Sequence, residues 1–107
     1  LDDDLLVLGW GGTFGAITQA VREERALGRR VASAHLRLLN PLPRGLGALI
    51  RAFPRVLVPE LNHGQLQLLL RGRLGVGAEV EGMHKLRGLP FQVEEIRERI
   101  ASMLGAK

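Results

Sequence analysis

Leu5-Leu6-Val7-Leu8-Gly9-Trp10 is an unbroken apolar run that stops at Gly11-Gly12. Runs without polar alternation suit a strand buried on both faces, as in a parallel sheet. The period then changes. From Thr13 to Leu27 the apolar positions Ile17, Val21 and Leu27, with Ala16 and Ala20, recur at helical spacing, and the charges Arg22 to Arg25 fall mostly off that stripe. Gly28 is placed to end the helix. Val31 to Leu38 reads as a second strand, closed by the loop Asn40-Pro41-Leu42-Pro43, since each proline removes a donor and restricts its predecessor. A short helix from about Gly45 to Phe53 ends at Pro54. Arg55 to Glu60 is a third strand, with Pro59 expected at its end. Asn62 can cap a helix from Gln65 to about Arg73, with Gln65 at the capping-box position. Ala78 to Met83 is a fourth strand. Val93 to Leu104 closes the chain as a helix with a stripe of Val93, Ile96, Ile100, Met103 and Leu104.

Strand and helix alternate four times. That order predicts one α/β domain over residues 1–107: a mainly parallel sheet with helices on both faces and right-handed crossovers. Sites in such sheets gather at the carboxyl ends of the strands. Here those ends carry Gly11-Gly12-Thr13, Leu39-Asn40-Pro41, Glu60 to His63, and His84-Lys85.

Composition removes several function classes. With no cysteine among 107 residues, the chain can supply neither a disulfide nor a thiolate to zinc or an iron–sulfur cluster. The net charge of +4 raises the question of nucleic acid. The basic residues, nearly all arginine, are scattered beside glutamates, and four aromatics offer no stacking platform, so a solvated helix surface is the favoured reading. The apolar stretch from Leu5 to Ile17 is interrupted by glycines and is shorter than the roughly 20 residues of a membrane helix. Asp2-Asp3-Asp4 stands where a signal peptide would be basic. A cytoplasmic chain that meets neither membrane nor nucleic acid is expected, and a start at Leu1 suggests a domain excised from something longer.

Candidate chemistry is thin. Gly9 to Gly15 forms a glycine-rich strand-to-helix turn where free amides of Gly11, Gly12 and Thr13 can hold an anion. It misses the dinucleotide fingerprint, because Phe14 stands where the third glycine belongs, and it lacks the Lys-Ser/Thr of a P-loop. Tight turning is the favoured role. Glu60 could act as an acid or base, but no nucleophile–base pair accompanies it. His35, His63 and His84 are too dispersed for a metal motif, and no catalytic, cofactor or metal residue is assigned.

Four stretches together resemble a known family. They are Gly11-Gly12-Thr13-Phe14-Gly15, His35 to Pro43, Val58-Pro59-Glu60-Leu61-Asn62-His63-Gly64-Gln65-Leu66, and Arg87 to Phe91 followed by Glu94-Glu95-Ile96. The third is the most specific, similar to a Glu-x-Asn-x-Gly-Gln-Leu signature. The pattern resembles the domain that ends the α subunit of 2-oxoglutarate:ferredoxin oxidoreductases and related 2-oxoacid oxidoreductases. The resemblance implies a transketolase C-terminal-domain-like fold, three-layered α/β/α, with about four strands in the order 2-1-3-4. It also implies a parent complex that uses thiamine diphosphate, magnesium, coenzyme A and iron–sulfur clusters, and that passes electrons to ferredoxin. This domain would hold none of these groups and would pack on the remainder of the α subunit and on the β subunit. Glu60, Asn62, Gly64 and Gln65 are the expected interface residues. The competing expectation is a small nucleotide- or CoA-binding module built on Gly11, Gly12 and Thr13. Three departures from the pattern stand out: Gly12 replaces a serine, Leu89 an arginine, and Gln92-Val93 a Thr-Pro-like helix start that would have capped the last helix.

Overall fold

The computed structural model describes residues 4–10, 14–36, 45–61, 80–85 and 91–104. In chain order these form β1 (Leu5–Trp10), α1 (Phe14–Ala26), β2 (Val31–Leu36), α2 (Leu46–Arg51), β3 (Arg55–Leu61), β4 (Val80–Lys85) and α3 (Val93–Met103). The expected helix at Gln65–Arg73, its Asn62 cap and the Gly11–Thr13 turn lie outside the described residues. The four strands make one sheet in the order β2-β1-β3-β4, all neighbours parallel, as expected.

Burial explains why the apolar runs became the central strands. Leu5, Leu6, Val7 and Leu8 of β1, and Val56, Leu57 and Val58 of β3, are all buried, because both faces of the sheet are covered. On one face Leu5, Val7 and Leu57 pack with Ile17, Ala20 and Val21 of α1 and with Phe91, Ile96, Ile100 and Met103. On the other, Leu6, Leu8, Val56, Val58 and Val80 pack with Leu46 and Ile50 of α2 and with Phe53. Alternate residues of each strand feed opposite cores.

Local signals set the helix ends. Gly28 has a φ of 92° and its N–H reaches the carbonyl of Arg25 at 2.9 Å, so the glycine takes the left-handed position that stops α1. The loss of a Thr-Pro-like start to α3 is made good from within. Glu95 reaches back to accept the Gln92 N–H at 2.8 Å, which is half of a capping box.

Three expectations are corrected. Leu27 does not join the α1 stripe. It lies past the helix end, 62% exposed, and the stripe is continued by Glu24, which is buried. Pro59 does not end β3, which runs on to Leu61. The ladder with β1 spans Leu5↔Arg55 to Val7↔Leu57 and has stopped before Pro59, where a residue without an N–H disturbs it least. Finally, β4 runs to Lys85, two residues beyond its expected end at Met83. Its polar end, His84-Lys85, reads as loop but pairs with Glu60 and Leu61 of β3, because a parallel ladder is made by backbone groups.

Candidate functional site

Of the residues singled out in the sequence, Glu60 has its side chain described near the carboxyl edge. It stands on β3, one residue before the strand's end, and is 1% exposed. A carboxylate so far from water needs donors. One is the indole of Trp10, the last residue of β1, whose Nε1–H donates to Glu60 Oε1 at 3.0 Å. Trp10 itself packs, half-buried, against the core that contains Leu6, Leu8, Val56 and Val58. Sequence reading missed this pairing, because Trp10 looked like the tail of an apolar run and Glu60 lies fifty positions away.

Asn62, Gly64, Gln65 and His63, like Gly11, Gly12 and Thr13, lie outside the described residues. The register sets His84 opposite Glu60 as its Cα partner. His35 is two strands away from β3, on β2 opposite Gly9. Its ring meets Phe14 edge-on with centroids 5.2 Å apart, and its buried Nδ1 makes no hydrogen bond. Among the described residues no three His, Asp or Glu side chains come together as a metal would require.

A second polar cluster was not foreseen. Glu24 of α1 is 3% exposed and accepts from Arg97 Nε of α3 at 2.6 Å. Its other oxygen makes no hydrogen bond of good angle and is met by Arg29 Nη1 at 3.0 Å as an ion pair. Arg97 Nη1 also reaches Glu23 at 2.6 Å and Glu94 at 3.3 Å. The hydrogen bond to Glu24, with the charges of Glu24, Glu94 and Glu23, raises the Arg97 pKa above the ordinary arginine value against the opposing effect of desolvation. The open cleft above this cluster is lined by Glu24, Arg29, Glu94 and Arg97, with Leu27, Glu98 and Ala101 beside them, and the ion pairs among the first four clamp α1 to α3. It sits on the face opposite Glu60. Helical spacing held the clue: Glu24 continues Ile17, Ala20 and Val21 at three- and four-residue steps. Arg99 and Arg55 similarly meet Glu81, at 2.8 and 3.5 Å, joining α3 and β3 to β4.

No family model matches the chain. Over 106 residues, 99% of its length, it is 43% identical to the 2-oxoglutarate oxidoreductase subunit KorA of Mycobacterium tuberculosis. Its fold matches a solved 2-oxoglutarate:ferredoxin oxidoreductase from Magnetococcus marinus with a TM-score of 0.86 and 29% identity over 95% of this chain. That structure was determined with 2-oxoglutarate, coenzyme A and succinyl-CoA bound. The chain spans 16% of the mycobacterial subunit and 18% of the solved chain. It is therefore related to a domain-sized part of 2-oxoglutarate oxidoreductase subunits, as the four motifs implied.

Proposed function

We propose that this chain serves as a non-catalytic assembly domain of a 2-oxoacid:ferredoxin oxidoreductase, the domain that ends its α subunit. The observation that carries the reading is 43% identity along 99% of the chain to one sixth of a 2-oxoglutarate oxidoreductase subunit. The whole complex would oxidatively decarboxylate 2-oxoglutarate or a related 2-oxoacid to its acyl-CoA and pass two electrons to ferredoxin. Thiamine diphosphate, magnesium and iron–sulfur clusters would belong to other parts of that complex. This chain, lacking cysteine, has no thiolate to offer a cluster.

The carboxyl edge of the sheet is the docking face in this reading. Asn62, Gly64 and Gln65, which follow β3 in the sequence, would meet the remainder of the α subunit or the β subunit, while Glu60, expected at the interface from the sequence, is buried at 1% exposure and would support them from within. Tagged chain, wild type or Glu60→Ala, is to be mixed with the remaining α-subunit domains and the β subunit and recovered. Wild type is expected to retain both partners. Glu60→Ala should weaken retention about tenfold, or ~1.4 kcal/mol. Wild-type recovery no better than an empty tag would end the proposal.

A nucleotide- or CoA-binding module at Gly11-Gly12-Thr13 is the less favoured reading, because the similarity is to a piece of a much larger enzyme. Thermal unfolding with NAD, ATP or coenzyme A separates the two. Saturation at about 100 times a dissociation constant would add ~2.7 kcal/mol of stability. No shift with any of the three is expected.

A further inference from the structure

We draw no further inference here: the strongest candidate, the surface patch at the start of α1 where the exposed Phe14 meets His35 of β2 edge-on, is an unpartnered aromatic pair, and nothing in the structure shows what covers it.

Discussion

Replacing Glu24 by alanine is expected to destabilise the fold by about 2 kcal/mol. Breaking a buried ion pair from one side typically costs about 3–5 kcal/mol, because a charge is left without its partner. The figure is lowered here for a definite reason. Arg97 and Arg29 are about a quarter exposed, at 25% and 24%, so water can take over part of Glu24's role, and Arg97 keeps Glu23 and Glu94. Urea unfolding followed by circular dichroism would read the loss as a fall of roughly 1 M in midpoint, given a typical slope of about 2 kcal/mol per molar. A fall under a quarter of that would show that the cluster merely decorates the surface. Salt gives an internal control. The Asp4–Arg30 pair, 3.9 Å apart with both side chains over half exposed, should be screened away by salt, while the Glu24 effect should persist. The pH dependence follows from the raised Arg97 pKa. A cation whose pKa rises on folding stabilises fully below its unfolded value and loses that contribution only as pH climbs through the folded one. The Arg97 contribution is therefore constant through neutral pH and lost only under strongly alkaline conditions.

The elements that were legible in the sequence are those where a single period dominates. Leu5 to Trp10 has no polar interruption and became a strand buried on both sides, and α3 buries Ile96, Ile100 and Met103 as its spacing required. Reading failed where long-range pairing overrode local character. His84 and Lys85 look like a loop until β3 offers them a ladder. Pro59 looks like a terminus until the β1 ladder is seen to have stopped two residues earlier. Leu27 is the more hydrophobic choice for the α1 stripe, yet Glu24 takes the buried place because Arg97 and Arg29 stand ready to neutralise it. The candidate site shows the same division. Glu60 was legible from its place at a strand's carboxyl end. Its bond to Trp10 was not, since nothing local couples two residues that the fold brings together from adjacent strands.

Ile96→Ala should produce the largest loss of stability and spare docking. Ile96 is 0% exposed, on the helix that packs against α1, in the core shared with Ile17, Leu57 and Ile100. Truncation at such a site removes transfer energy and leaves a cavity, about 3–4 kcal/mol in all. Against a total stability of roughly 5–15 kcal/mol for a domain, that is a substantial fraction. Trp10 packs on the other core, with Leu6, Leu8, Val56 and Val58, on the opposite face of the sheet. The β-strand alternation that separates the two cores separates the consequences. Ile96→Ala should lower the urea midpoint by well over 1 M, yet the molecules that remain folded should bind the partner subunits with wild-type affinity and show wild-type Trp10 emission. Weakened association per folded molecule in Ile96→Ala would mean that the α1–α3 face also docks, and the assignment of the interface to the carboxyl edge alone would fall.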